Sequence, residues 1–446
     1  MSIDLTGNSA SGIAADLRTR IERGELAPGT PLPSVRAVAV DLGVNRNTVV
    51  AAYRQLAQAG LVEARGRGGT RIADRAAVAQ EGYAPDTVLR DVGTGNPDPA
   101  RIPDPTAALA RSTRPVLYGE PVIDPGLEAW ARRWMTDQLP QDDVRITVTS
   151  GASDAIERLL AQALQRDDAV ALEDPCFLSA LHTVRTGGYR AVPVAVDAEG
   201  MNVDGLRAAL EAGVRAVICT PRAHNPTGAS LSVERAAALR AVLEGHPYVL
   251  VIEDDHFSLL SRAPLHSVIG PAQRRWARIR SMSKFLGPDT CLAVTASDPD
   301  TADGLAVRLT PGTTWVSHIL QRMTLALVTD DAVRADIEHA AEHYAARNAA
   351  FARALTERGL PTAPGDGLNL WVPLPAPAAS VREELMRRGW LVREGDPFFL
   401  SPDHAGAFLR LTVHDLDDSS AAALADDMAV AAGTRRSSVR SGRIES

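Results

Sequence analysis

The sequence predicts an α/β protein, with a largely parallel sheet covered by helices on both faces and a small helical module in front of it. Three observations lead there. From Asp91 onward, short apolar runs alternate with segments of helical period, the pattern of parallel strands joined by crossover helices. The first 73 residues instead hold three closely spaced helical patterns and a glycine-rich hairpin. Charge divides at the same place: residues 1–73 carry nine arginines against six acids, a balance of +3, so a net charge of −8 leaves −11 for the rest.

A chain of 446 residues is too long for one ordinary core. With 45% hydrophobic and 23% charged residues, its composition is that of a globular protein. Cys176, Cys219 and Cys291 are far apart with no Cys-x-x-Cys, which points to neither a disulfide framework nor a metal site. The first dozen residues lack the apolar stretch of a signal peptide, and no apolar run approaches the length of a membrane span. A cytoplasmic protein with no membrane partner and no metal is expected.

In the small module, Ile13, Leu17 and Ile21 recur at helical spacing and Gly24 ends that helix. Pro28-Gly29-Thr30-Pro31 turns the chain, and Ser34 is placed to cap a second short helix carrying Val38, Ala39 and Leu42. Gly43-Val44 makes a tight turn. Asn45 caps a third helix with Val49, Tyr53 and Leu56 inward, and Gly60 closes it. Residues 61–64 and 70–72 read as strands around a turn, Arg65-Gly66-Arg67-Gly68-Gly69. That order is a winged helix-turn-helix. Arg46, Asn47 and Thr48 open its third helix, where side chains reach base edges and amides meet phosphate. Arg65 and Arg67 on the wing are placed for the DNA backbone or minor groove. Singly, each arginine reads equally well as a solvated charge.

Together these residues resemble the DNA-binding domain of the GntR family, whose motif matches Gly24 to Arg36 and Arg46 to Leu56. The resemblance implies double-stranded DNA as a partner and adds Ser34 and Arg36 to the contacts. Residues 74–90 read as a linker, 91–432 as the large domain and 433–446 as a polar, disordered tail.

The large domain's strands are expected at 144–148, 170–172, 216–219, 249–252 and 277–280. Ligands of such a sheet bind beyond the carboxyl ends of its strands, and that is where the suspicious residues fall. Lys284 is the single lysine against 46 arginines. A guanidinium stays protonated, whereas an amine can lose its proton and attack a carbonyl. Codon bias would explain the scarcity of lysine but not its address after a strand, in Ser281-Met282-Ser283-Lys284. Gly151, Ala152 and Ser153 open a helix after another strand, a natural anion site. Phe177 offers a stacking face, though by itself it reads sooner as core. Asn225 lies in a rigid turn and can donate to a ring oxygen. Glu253, Asp254 and Asp255 crowd three carboxylates, costly unless a cation or protonated base is bound. An amine, a carboxylate, an amide, a ring and a phosphate cradle describe a pyridoxal 5'-phosphate site. Lys284 would hold the aldehyde as an imine, Asp254 the ring nitrogen, and Asn225 and His256 the phenolic oxygen. Ser281, Ser283 and the Gly151 turn would hold the phosphate.

The motifs Ser150 to Ala155, Asn225 to Gly228 and Ser281 to Lys284 resemble those of fold-type I aminotransferases. That resemblance implies a homodimer, with Tyr118 reaching the neighbouring subunit's phosphate, and a substrate-carboxylate role for Arg410. A GntR-type module joined to such a domain resembles the MocR regulators. Finer segments, among them Glu173 to Ser179 and Trp390 to Gly395, resemble the PtsJ branch, which suggests genes of vitamin B6 metabolism as targets.

Two positions depart from the pattern. Cys291 stands where the family has a phosphate-binding arginine, leaving Arg278 or Arg280 as substitutes, and His256 stands where most relatives have tyrosine. Three functions follow: a regulator that senses the cofactor or its adduct with a small amino compound, an aminotransferase with an appended DNA-binding arm, or a repressor whose degenerate large domain only dimerises. The intact start of the third helix disfavours the second, and the retained Lys284, Asp254, Asn225 and Arg410 disfavour the third. The regulator is the expectation, with residual transaminase half-reactions at most.

Overall fold

The computed structural model describes residues 5–58, 61–64, 69–72, 82–84, 87–112, 114–136, 139, 143–309, 314–400 and 406–434. Arg65 and Arg67 of the expected wing, most of the expected linker and the tail from residue 435 lie outside the described residues. The chain divides into two compact units, Met1–Gln80 and Glu81–Ser446.

In the first unit, α1 (Ala10–Glu22), α2 (Val35–Asp41) and α3 (Arg46–Gln58) precede the hairpin β1 (Val62–Ala64) and β2 (Thr70–Ile72). The Ser34 hydroxyl accepts from the Ala37 amide at 3.2 Å, capping α2 as expected. Asn45 Oδ1 accepts from the Asn47 amide at 2.8 Å and starts α3. Ile13, Leu17, Val38, Val49, Leu56 and Ile72 share one apolar core. The Tyr53 hydroxyl donates to the Pro33 carbonyl at 2.8 Å, which ties α3 to the turn before α2.

The second unit opens with β3 (Arg90–Asp91). Its main sheet comprises β4 (Arg145–Thr149), β5 (Ala169–Asp174), β6 (Arg190–Asp197), β7 (Gly200–Met201), β8 (Ala216–Cys219), β9 (Leu250–Asp255), β10 (Trp276–Ser281) and β11 (Ala293–Ser297). They lie in the order β4-β11-β10-β9-β8-β5-β6-β7. Strands β10, β9, β8, β5 and β6 are parallel, and β11 runs antiparallel to both its neighbours, β10 and β4. Alternation sends Ala171, Val217 and Val251 to the core on one face and Val170, Leu172, Ile218 and Ile252 to the other. The five expected strands are β4, β5, β8, β9 and β10. The strands β6 and β11 go beyond the sequence reading. Pro193 inside β6 argues against a strand, and its position near the sheet edge makes it tolerable.

A smaller antiparallel sheet joins β12 (Asn369–Pro373), β14 (Arg393–Glu394) and β15 (Phe408–Thr412), while β13 (Trp390–Leu391) pairs with β3. It has its own apolar core, including Leu370, Leu385, Leu409 and Met428.

Candidate functional site

The charges at the strand ends are sorted by alternation along β9 and β10. Parallel register sets Arg278 beside Glu253, Ile279 beside Asp254 and Arg280 beside Asp255. Arg278 Nε donates to Glu253 Oε2 at 2.7 Å and Arg280 Nε to Asp255 Oδ2 at 2.8 Å. Arg222 grips both oxygens of Asp255, at 2.8 and 2.9 Å. Burial pushes the Asp255 carboxyl up, but the pairing with Arg222 and Arg280 overrides it and holds the group at about 2. Arginines of this chain therefore neutralise two of the three crowded carboxylates, and for these two no bound cation is needed. The same pairs remove Arg278 and Arg280 as substitutes for the missing phosphate arginine. Arg280 is further fixed 4.8 Å over the Trp134 ring.

Asp254 falls on the opposite face from these pairs. Its Oδ2 lies 3.6 Å from His256 Nδ1, and among the described residues its buried Oδ1 has no hydrogen-bond partner. A buried carboxylate with an open oxygen suits a protonated ring nitrogen. Lys284, Asn225, His256 and His224 line one small cavity beside it. The His256 ring lies parallel to Phe177, with centroids 6.0 Å apart and an interplanar angle of 12°. Lys284 Nζ donates to the Gly95 carbonyl at 3.2 Å. Arg410 is fully buried over the Phe398 ring, and donates to Asn225 Oδ1 at 3.3 Å and to the Gly93 carbonyl at 2.8 Å.

At the end of β4, Gly151 takes φ +95°, a left-handed conformation that favours glycine, and opens the helix Ala152–Ala163. Ser153 Oγ sits 2.6 Å from Ser179 Oγ, joining this helix start to the one after Phe177. Ser281 Oγ accepts from the Ser283 amide at 3.2 Å, shaping the turn before Lys284. Register places Ala293 of β11 opposite Ser281 on one side and Thr149 on the other. Cys291 ends the turn two residues before this strand, which runs between the two segments expected to hold a phosphate, and it is exposed. Tyr118 is 88% exposed and packs against Trp315 at 5.4 Å; it does not line the cavity of its own chain.

Several contributors escape the sequence reading. Gly93 and Gly95 serve through their carbonyls, and a Cβ on Gly93 would meet the Arg393 amide at 2.8 Å. The signal was the Gly93-Thr94-Gly95 spacing, which no strand end marked. Beneath the site, His224 Nε2 lies 3.4 Å from Glu173 Oε2. Burial pushes Glu173 up to about 8 and His224 down to about 3, so both shifts favour the uncharged forms of the pair.

In the first unit, Ser34, Arg36, Arg46 and Asn47 are exposed and Thr48 is half-buried. Arg46, Asn47 and Thr48 occupy the first turn of α3, and Ser34 and Arg36 the start of α2.

The family model of aminotransferase class I and II matches residues 91–426, and that of the bacterial regulatory proteins of the gntR family matches residues 9–72. The chain belongs to the MocR-type regulators. It is similar to the vitamin B6 salvage pathway transcriptional repressor PtsJ of Salmonella typhimurium, with 48% identity over 95% of this chain and 98% of that one. The regulator TauR of Rhodobacter capsulatus is 29% identical over 87% and 89% of the two chains. The pyridoxine biosynthesis regulator PdxR of Corynebacterium glutamicum is 31% identical over 56% of each. Among solved structures, the Pyrococcus horikoshii kynurenine aminotransferase superposes with a TM-score of 0.71 at 20% identity, covering 78% of this chain and 91% of that one. At that identity the likeness shows the fold. This MocR-type chain is a DNA-binding regulator with a fold-type I aminotransferase domain, a family whose cofactor is pyridoxal 5'-phosphate. The open Asp254 oxygen, the glycine-opened helix and the amine of Lys284 fit that group. Among the described residues, no helix is long and apolar enough to cross a membrane.

Proposed function

We propose that this regulator binds pyridoxal 5'-phosphate at Lys284 and changes its grip on promoter DNA when the cofactor, or its adduct with a small amino compound, occupies the site. The open carboxylate of Asp254, next to the His256 that shares a cavity with Lys284, carries the reading. When bound, the cofactor supplies an aldehyde for the Lys284 amine and an electron-withdrawing ring. Asp254 holds the ring nitrogen's proton, and Asn225 and His256 hold the phenolic oxygen. Phe177 covers the ring face. The Gly151-Ala152-Ser153 turn, Ser281 and Ser283 hold the phosphate. Arg410, committed in this chain to Asn225 and Gly93, is the group for a carboxylate on an amino effector. Ser34, Arg36, Arg46, Asn47, Thr48, Arg65 and Arg67 contact DNA. The working domains are residues 1–73 and 91–432, joined by a linker at 74–90.

We place the protein in the cytoplasm as a homodimer. The exposed apolar residues Leu117, Tyr118 and Val122 support a subunit contact there, with Tyr118 reaching the partner's phosphate. The 48% identity to PtsJ supports repression of vitamin B6 genes.

The test is an absorbance titration with pyridoxal 5'-phosphate, before and after borohydride, beside DNA binding with and without the cofactor. A visible band trapped on Lys284 together with a shift in DNA affinity is expected. No band, or a band with unchanged DNA binding, refutes the sensor.

A further inference from the structure

We propose that the second unit holds a second small-molecule site, apart from the Lys284 cavity, that takes a flat apolar molecule carrying a positive charge. A cavity of about 600 Å³ is walled by Thr227 and Gly228, by residues 361–365, and by Trp371, Phe399 and Phe408. None of Lys284, Asn225 and His256 lines it. Its size suits a small ligand.

The wall chemistry selects the ligand. The chain has only six tryptophans and seven phenylalanines, yet Trp371, Phe398, Phe399 and Phe408 gather in one cluster. Trp371 and Phe408 stack with centroids 4.9 Å apart, and Phe399 packs 5.9 Å from each. Two carboxylates also line the cavity. Arg235 grips both oxygens of Asp197, at 3.0 and 2.9 Å, and neutralises it. Asp174 is buried, and its Oδ1 accepts from the Leu400 amide at 2.9 Å. Among the described residues, Asp174 has no ion-pair partner. Aromatic faces with one unpaired buried negative charge attract a cation and repel phosphate or carboxylate. The cofactor's own phosphate is thereby excluded from this site.

The cavity also touches the supports of the Lys284 site. Thr227 Oγ1 lies 2.8 Å from His224 Nδ1, next to Asn225. On the other wall, Asp174 leads through Pro175 to Cys176, whose amide donates to the Phe398 carbonyl at 2.9 Å. Phe398 is the ring under Arg410. Gly228 and Gly365 meet backbone to backbone, since a Cβ on Gly228 would lie 2.5 Å from Gly365 Cα. A ligand here acts on Asn225, Phe177 and Arg410 through atoms already in contact. This coupling rests on the proposed sensing at Lys284, whereas the binding itself does not.

The probe is benzyltrimethylammonium, a cationic aromatic that cannot form an imine, titrated calorimetrically into the full chain with benzenesulfonate as its anionic counterpart. Saturable binding of one probe per chain, with none of the sulfonate, is expected. Asp174→Asn keeps the acceptor for the Leu400 amide and removes the charge, and should weaken the probe at least about tenfold. Trp371→Leu should do the same, and both variants should keep the absorbance response to pyridoxal 5'-phosphate that shows an intact fold. Lys284→Ala should bind the probe as wild type does. Equal binding of the sulfonate, undiminished binding by Asp174→Asn, loss in Lys284→Ala or no saturation would overturn the site. An unchanged half-saturation for pyridoxal 5'-phosphate in the presence of the probe would overturn the coupling.

Discussion

Replacing Cys291 by arginine should tighten the cofactor through its phosphate alone. Position 291 lies two residues before β11, the strand that runs between the Thr149 and Ser281 ends, and the cysteine is exposed, so a longer side chain has room to reach toward them. Its backbone is left-handed at φ 40°, a conformation that disfavours both side chains alike, so the exchange adds no new strain there. Arg278 and Arg280 cannot supply the missing cation, because Glu253 and Asp255 hold them. A charge-assisted hydrogen bond contributes about 1.5–3 kcal/mol, which corresponds to roughly ten- to 150-fold in dissociation constant. Titration of the cofactor-free protein, followed by the visible absorbance of the lysine adduct, measures that change directly. Pyridoxal without its phosphate serves as the control and should bind wild type and variant alike. A gain under threefold, or an equal gain for pyridoxal, would refute the placement of the phosphate beside residue 291.

Three further outcomes follow from the same geometry. Lys284→Ala should lose the visible band and the cofactor's effect on DNA affinity while keeping basal DNA binding; a cofactor response that survives would refute sensing through that amine. Asn47→Ala, on the exposed start of α3, should weaken operator binding by about 1–3 kcal/mol in gel shifts and leave thermal unfolding unchanged. Normal operator affinity would remove Asn47 from the interface. Burial holds Glu173 at about 8 against an ordinary 4.5, so the folded chain keeps a proton that the unfolded chain releases across that window. Glu173's own contribution should therefore fall as pH rises from about 4.5 to 8, while His224, held at about 3, contributes the opposite slope below 6.5. Glu173→Gln should flatten the fall between pH 6.5 and 8 in denaturant melts, an unchanged slope there counting against the buried acid.

The helix-turn-helix was legible because its signals are local. Ser34 and Asn45 cap the helices they were expected to cap, and Val49, Tyr53 and Leu56 fall on one face. Lys284, Asn225 and Asp254 were legible as strand-end residues in short motifs. The sorting of Glu253, Asp254 and Asp255 was not, because it depends on the register between β9 and β10, and no single strand reveals its neighbour's phase. Gly93 and Gly95 stayed hidden for another reason: they act through carbonyl oxygens, which every residue has. Strand β11 follows a 3-10 turn and runs against its neighbours, an exception within a pattern that otherwise predicts parallel strands.

The single lysine has a consequence for measurement by the molecule itself. Free aldehydes condense with any accessible amine, and an ordinary protein surface offers dozens of them. Here Lys284 is the one side-chain amine the chain contains, half-buried beside Asn225 and His256. Apart from the chain's amino terminus, no decoy would compete for an aldehyde. If Lys284 is the sensing amine proposed above, occupancy of that one address would report the aldehyde's concentration without background, each chain counting one or none.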